Sequence, residues 1–350
     1  MNNLKLIGFL MIFASSLMFI QCTSDPIAGP QGIAGANGAN GTNGSDGADG
    51  VNGDTACLQC HSTGSIDAAQ AEYSYSGHAA GGAVGYAGSR ASCSECHSNE
   101  GYINQMTGMD AVNIAFPTAI GCKTCHAIHD PESIAQGDTE YNLRNTAELT
   151  LMISEALGED IVIDYGNSSN ACMTCHQPRK LSGLAGLADD ATFNAPSHWG
   201  PHHGPQVTLL EGIQGEEFAG SISYPTDQSM HRAGASCVSC HMGETNSGTG
   251  GHSWKPNLNN CKVCHTDGAP EEIFGFAGKM TELEALLVSR NVLLGEAGEY
   301  HINEADDMTV LEAKAAWNWA FITEDKSEGI HNPKYAKALI QNSIEALTVD

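Results

Sequence analysis

Hydrophobic positions gather at the two ends of the chain. Near the start, Lys5 is followed by an apolar run from Leu6 to Ile20 that stops at Gln21-Cys22. The run is short for a membrane span and has the form of a secretory signal peptide over residues 1–21. Near the end, residues 278–297 place apolar side chains at helical spacing, and residues 307–322 do so again with Trp317, Trp319 and Phe321. Asn332-Pro333 then opens a third helix through Tyr335, Leu339, Ile340 and Leu347. Proline suits the first helical turn, where no backbone donor is needed. These patterns predict a closing helical segment over residues 271–350, packed on whatever precedes it.

A rhythm of three follows the leader. Gly29, Gly32, Gly35, Gly38, Gly41, Gly44, Gly47, Gly50 and Gly53 repeat in the manner of collagen. Pro30 is the one imino acid among these triplets, so a triple helix would be weak. The repeat predicts a flexible or polyproline-like stalk, with a homotrimer as the alternative. Cys22, at the end of the leader, resembles the acylated cysteine of bacterial lipoproteins. Gln21 stands where such sites usually have a small residue. An ordinary cleaved leader and a retained anchor helix are the alternatives. Residues 22–54 are therefore read as a lipidation site, Cys22, and a stalk; acylation there would fix the protein to a membrane without spanning it.

Between stalk and closing segment, Cys-x-x-Cys-His occurs six times: Cys57/Cys60/His61, Cys93/Cys96/His97, Cys122/Cys125/His126, Cys172/Cys175/His176, Cys237/Cys240/His241 and Cys261/Cys264/His265. This is the attachment signature of covalent haem. Two thiols become thioethers to the porphyrin edge, and the adjacent imidazole becomes the proximal iron ligand. Zinc sites also use Cys-x-x-Cys, but zinc does not require a histidine directly after the second cysteine. Six intact copies predict six covalently bound haem c groups over residues 55–270.

Composition fits this reading. Of 13 cysteines, 12 lie in the motifs and the other is Cys22, so no thiol is left for a disulfide. Aromatic residues make up 6% and glycines number 40, a poor supply of core material that six buried porphyrins would supplement. The expected fold is mainly α with little regular secondary structure, its short helices and loops wrapped around haems. Net charge is −26, which argues against nucleic acid as a partner, since phosphates need Lys and Arg. It suits basic redox proteins or cationic metal-bearing acceptors.

A low-spin haem needs a second axial ligand, and nine histidines lie outside the motifs. His78, His129, His203, His231, His252 and His331 are taken as the distal candidates, with His198, His202 and His301 behind them. His129 follows His126 too closely to reach round that haem and is assigned to a neighbour. His198-Trp199-Gly200-Pro201-His202-His203-Gly204-Pro205-Gln206 is a ligand-donating excursion within the longest gap between motifs. Adjacent side chains point apart, so only one of His202 and His203 is expected on an iron, and His203 is preferred. His331 precedes the third helix, which would deliver it to a haem.

Ser327-Glu-Gly-Ile-His331-Asn-Pro-Lys-Tyr335-Ala-Lys-Ala-Leu-Ile resembles the closing helix of the multihaem cytochromes c related to the nitrite reductase and octahaem reductase group. His203-Gly-Pro-Gln, His231 before Cys237-Val-Ser-Cys240-His241-Met242, and Gly251-His252 resemble the same superfamily. The resemblance covers roughly residues 55–350 and implies a multihaem cytochrome c fold, with His231, His252 and His331 as distal ligands. The nitrite-reducing members carry a lysine in place of one motif histidine; none of the six motifs here does. The expected function is that of a carrier with no catalytic residues: a hexahaem cytochrome tethered to a bacterial envelope, periplasmic or at the cell surface. It would pass electrons from haem to haem towards redox proteins or extracellular metal acceptors. One alternative is a reductase of a small nitrogen or sulfur oxyanion, which requires an open coordination position. Another is the subunit of a polymeric cytochrome wire, in which one chain supplies a ligand to the next.

Overall fold

The three closing helices form the main apolar core, and their boundaries follow from capping. In the computed structural model, which describes residues 64–127, 142–270 and 272–349, they run Phe276–Ser289, Val310–Asp325 and Pro333–Thr348. Thr309 caps the second helix in a reciprocal box: its hydroxyl accepts from Glu312 N at 3.2 Å, and the Glu312 carboxylate accepts from Thr309 N at 2.9 Å. Asn332 caps the third, accepting from Tyr335 N at 3.2 Å, with Pro333 in the first turn. The first helix stops at Ser289, short of the 297 that the apolar spacing suggests. Beyond it Asn291 turns with φ 59°, and Leu293–Leu294 pairs as a strand with His301–Ile302.

Met280, Leu283 and Leu287 form one buried stripe on the first helix. The second helix is buried almost all round, through Ala313, Trp317, Phe321 and Ile322, and so is the central element. Tyr335, Leu339, Ile340 and Ile344 close the core from the third. A fully buried side chain of this size contributes roughly 1.5–3 kcal/mol, so this bundle carries much of the apolar driving force.

Two buried amides bind a strap to the bundle. Asn318 donates to Glu216 O at 2.8 Å and accepts from Glu216 N at 2.8 Å. Asn342 donates to Phe218 O and Ile222 O at 3.2 and 2.8 Å and accepts from Ile222 N at 3.2 Å. The strap approaches so closely that a Cβ on Gly220 would collide with Asn342.

The remaining residues follow the expected form. Among the described residues no α-helix from Ser65 to Cys261 exceeds nine residues. A small second cluster of Leu151, Ile153, Ile163, Tyr165, Met173, Val207 and Leu210 is the other apolar core of this region. The strands are two-residue pins, Leu149–Thr150 on Val162–Ile163 and Thr192–Phe193 on Met308–Thr309. The fold is mainly α, with short helices and loops outside the closing bundle. No described helix is long and apolar enough to cross a membrane. The leader, Cys22, the glycine repeat, the motif Cys57/Cys60/His61 and His129 lie outside the described residues.

Candidate functional site

Each described motif is a single helical turn. His126 N bonds Cys122 O at 2.9 Å, His176 N bonds Cys172 O at 3.0 Å, and His265 N bonds Cys261 O at 2.8 Å. The helices Ala91–His97 and Cys237–His241 contain the other two motifs. A turn of this kind brings the two cysteines and the histidine to one face, because positions three and four apart are neighbours on a helix. All ten described cysteines are free thiols.

Five motif histidines each face a histidine from a distant part of the chain. Ring centres lie 6.2 Å apart in His97–His202, 6.4 Å in His126–His252, 6.2 Å in His176–His78, 6.2 Å in His241–His331 and 6.1 Å in His265–His231. With about 2 Å per metal–imidazole bond and about 1 Å from nitrogen to ring centre, two imidazoles on opposite sides of one metal sit about 6 Å apart. The interplanar angles range from 43° to 89°, as free rotation about a shared axis allows and stacking does not. Burial keeps most of these rings neutral, the form that binds iron. His78 is pushed down to about 4 by burial and then by His176. His202 falls to about 4 through burial, then Arg179 and the neighbouring histidines. Burial also lowers His97, His176, His241 and His252.

The fit to haem rests on two further observations. His202 Nε2 is buried without a hydrogen-bond partner, an orphaned ligand atom. Large apolar side chains near these two histidines in sequence stand exposed, Met230, Leu258 and Val263, as does Ile330, whose carbonyl meets His231. An apolar disc between the two rings would cover them.

The choice between His202 and His203 goes against the sequence expectation. His202, not His203, faces a motif histidine. The His203 side chain is 77% exposed and Nδ1 lies 3.3 Å from Glu324 Oε1, whose hydrogen bond raises its pKa. Both residues take the left-handed backbone region, φ 69° and 52°, and this turns the first ring inward and the second outward. His198 and His301 are exposed and face no other histidine ring among the described residues.

Second partners fix the rings. His331 Nδ1 donates to Asp325 Oδ1 at 2.6 Å, on a carboxylate with 0% side-chain exposure. Burial opposes a proton on His331, and the bond and charge of Asp325 more than reverse that, leaving its pKa raised. His231 Nδ1 donates to Ile330 O at 2.5 Å, so one loop orients two rings. His241 Nδ1 meets Trp254 O at 2.8 Å, and the Trp254 ring lies 4.7 Å from His78 and 5.5 Å from His252. His176 Nδ1 lies 3.3 Å from Gln206 Oε1, and His252 Nδ1 lies 3.6 Å from Glu72 Oε2.

The motifs also touch one another. The Cys172 and Cys237 thiols act on one another, as do those of Cys175 and Cys96, the Cys125 thiol acts on both Cys172 and Cys175, and Cys96 Sγ lies 3.8 Å from Thr174 O. Cys240 lies by Cys261 and Cys264. Sequence reasoning did not find Asp325, Trp254, Glu72 or Arg179 in these roles. Asp325 and Trp254 carry a signal only in hindsight, each lying close in sequence to a ligand candidate.

No protein-family model matches the chain. Curated relatives do. It is 25% identical to the cytochrome c nitrite reductase subunit NrfA of Nitratidesulfovibrio vulgaris, over 63% of this chain and 49% of that one. It is 23% identical to the C-type polyheme cytochrome OmcB of Geobacter sulfurreducens, over 74% of this chain and 44% of that one. The fold is similar to that of the outer cell wall cytochrome OcwA, with a TM-score of 0.52 and 20% identity, covering 80% of this chain and 50% of that one. These similarities support a likeness to the multihaem cytochromes c. The chain spans about half the length of the relatives it matches. As in the superfamily generally, its motifs imply covalently bound haem c.

Proposed function

We propose that the chain is an envelope-anchored hexahaem cytochrome c that carries electrons and performs no bond chemistry of its own. The observation that carries this reading is the set of five imidazole pairs, each joining a motif histidine to a distant one at 6.1–6.4 Å. When bound, haem iron supplies reversible one-electron chemistry between ferric and ferrous states. The chain's residues do the rest. Ten described cysteines and Cys57 and Cys60 form the thioethers. His61, His97, His126, His176, His241 and His265 are the proximal ligands. His78, His202, His231, His252 and His331 are the distal ligands of five irons, and His129 serves the haem on Cys57/Cys60. Two axial imidazoles leave no position for a substrate, which favours the carrier over an oxyanion reductase.

The leader and Cys22 support attachment to a bacterial envelope, by a lipid, with the glycine repeat as spacer. Relatives described as a polyheme cytochrome and as an outer cell wall cytochrome support a place in the periplasm or at the cell surface. Redox proteins or extracellular metal acceptors are the partners this reading gives, and an acidic chain of net charge −26 would draw cationic ones. Low-temperature EPR of the oxidised holoprotein, with haem counted by intact mass, tests the proposal. Six haems, all low-spin, are expected. A stoichiometric high-spin ferric signal in the wild-type protein would overturn the carrier reading and direct attention to oxyanion reduction.

A further inference from the structure

The five imidazole pairs are alike in spacing and unlike in what fixes the rotation of each ring. An imidazole held to iron through one nitrogen can still turn about that bond. A hydrogen bond from its other nitrogen usually stops the turning. His331 has such a bond to Asp325 Oδ1 at 2.6 Å, and His241 has one to Trp254 O at 2.8 Å. His78 and His252 are held differently. No hydrogen bond reaches the His78 ring among the described residues. Glu72 Oε2 lies 3.6 Å from His252 Nδ1, beyond hydrogen-bond range, and accepts instead from His252 N at 2.9 Å.

Both rings abut the same side chain. The Trp254 ring centre lies 4.7 Å from that of His78 with the planes at 68°, and 5.5 Å from that of His252 with the planes at 81°. These are edge-to-face contacts within the favoured spacing of about 4.5–7 Å. The indole is itself braced. The Tyr73 ring meets it edge-on at 6.4 Å, and the Tyr73 hydroxyl donates to Ile120 O at 2.7 Å. Tyr73 ends the helix Ser65–Tyr73, which also carries Glu72. The backbone of Trp254 has φ 50° and ψ 20°, a left-handed conformation that bulky residues rarely adopt and glycine adopts freely. Strain of this kind persists only where the surroundings impose it, and it gathers at functional positions. Here Gly250 N bonds Lys255 O at 2.7 Å across the turn, and the Ser253 hydroxyl donates to Gly250 O at 2.6 Å.

We propose that Trp254 is a positioning residue shared by three ligand pairs: its ring fixes the rotation of the distal imidazoles His78 and His252, and its carbonyl fixes that of the proximal imidazole His241. His78 faces His176 with the planes at 59°, and His252 faces His126 with the planes at 43°. The indole edge sets both angles. The side chain therefore acts on the irons of the Cys172/Cys175 and Cys122/Cys125 haems, and the backbone acts on the iron of the Cys237/Cys240 haem. The strained turn explains why an aromatic residue stands where glycine would be relaxed: it aims one indole at two rings that come from distant parts of the chain.

This inference rests on the haem-ligand reading above, and its test separates the two. The readout is low-temperature EPR of the oxidised holoprotein, because the low-field g value of a low-spin ferric haem depends on the angle between its two imidazole planes. His78→Ala and His252→Ala assign the signals: each should lose one low-spin component and gain high-spin iron. Trp254→Leu should shift those two components and keep every iron low-spin. All other components, that of His241–His331 included, should stay at their wild-type positions, since the carbonyl is retained. Trp254→Phe, which keeps a ring, should shift the same two components by less. Intact mass checks that each variant carries its full haem. The inference is overturned if Trp254→Leu matches the wild-type protein at both components, or if components elsewhere move, alone or together with these two. Should the leucine variant lose haem, Trp254→Phe decides by the same two components. If His78→Ala and His252→Ala leave every low-spin signal in place, the ligand reading itself falls, whatever Trp254 does.

Discussion

Replacing His202 and His203 one at a time separates two neighbours that composition and spacing treat alike. His202→Ala removes the ring 6.2 Å from His97, whose buried Nε2 has no other partner. On the proposed hexahaem reading, one iron of six should then lose its distal ligand, and one sixth of the ferric signal should convert from low-spin to high-spin. Added imidazole should restore it, because the deleted ring leaves a space of its own shape. His203→Ala should change none of this. Its ring is 77% exposed and its one ion pair, with Glu324, is a surface pair of the kind worth about 0–1 kcal/mol. That loss is small against a typical stability of roughly 5–15 kcal/mol, so the variant should fold with all irons low-spin. EPR of the oxidised proteins reads both outcomes. A high-spin iron in His203→Ala, with none in His202→Ala, would refute the assignment of the distal ligand to the inward-turned residue.

The bundle offers three further tests. Asn342→Leu would leave Phe218 O, Ile222 O and Ile222 N without partners. At about 1–3 kcal/mol for each buried unpaired group, partly relieved by water, a loss of about 3 kcal/mol is expected in denaturant unfolding followed by far-UV circular dichroism. Glu345 accepts from Ser221 N at 2.7 Å, from the Ser221 hydroxyl at 2.5 Å and from Gln341 at 2.8 Å, and these bonds hold its pKa below the ordinary 4.5. A depressed carboxylate stabilises the fold above its unfolded pKa and ceases to as pH falls through the folded one. Acid should therefore loosen the 215–222 strap below pH 4.5 in the wild-type protein, while Glu345→Gln should lose that pH dependence; amide hydrogen exchange at Ser221 reads it. A chain made without haem attachment should keep the closing bundle and lose order before it, since the apolar core outside the bundle is the small Leu151–Leu210 cluster. Limited proteolysis that spared residues 65–180 and cut the bundle first would count against that.

Local features were legible in the sequence and long-range ones were not. The third closing helix follows from Asn332 and Pro333. The apolar spacing overextends the first closing helix because Val292 and Leu293 continue the pattern into a turn and strand that also bury them. The distal partners depend on contacts between distant segments, such as His126 with His252, which no local pattern encodes. His202 and His203 cannot be ranked from sequence: adjacent side chains point apart, as expected, yet nothing in the sequence says which of the two points inward. That choice is made by two left-handed residues and by Glu324, which binds His203 from the second closing helix.

The closing helices therefore do more than cover the molecule. The last residue of the second helix, Asp325, and the loop after it, with Ile330 and His331, supply one ring, supply the carboxylate behind that ring, and orient His231 opposite His265. The end of the second helix also holds the His202–Gln206 segment, through Glu324 to His203 and through Glu324 O, which accepts from Gln206 at 3.1 Å. Gln206 in turn meets His176. Rings of four of the five pairs are thus tied to one short stretch of chain anchored at both ends in the best-packed part of the protein. Loops as short of apolar material as those before it cannot hold an imidazole in place by their own packing, and a displaced ligand would change both the spin state and the potential of its iron. Rigidity is concentrated in the bundle and passed to the imidazole pairs through hydrogen bonds, which accounts for a well-packed helical core in a chain whose proposed chemistry lies outside it.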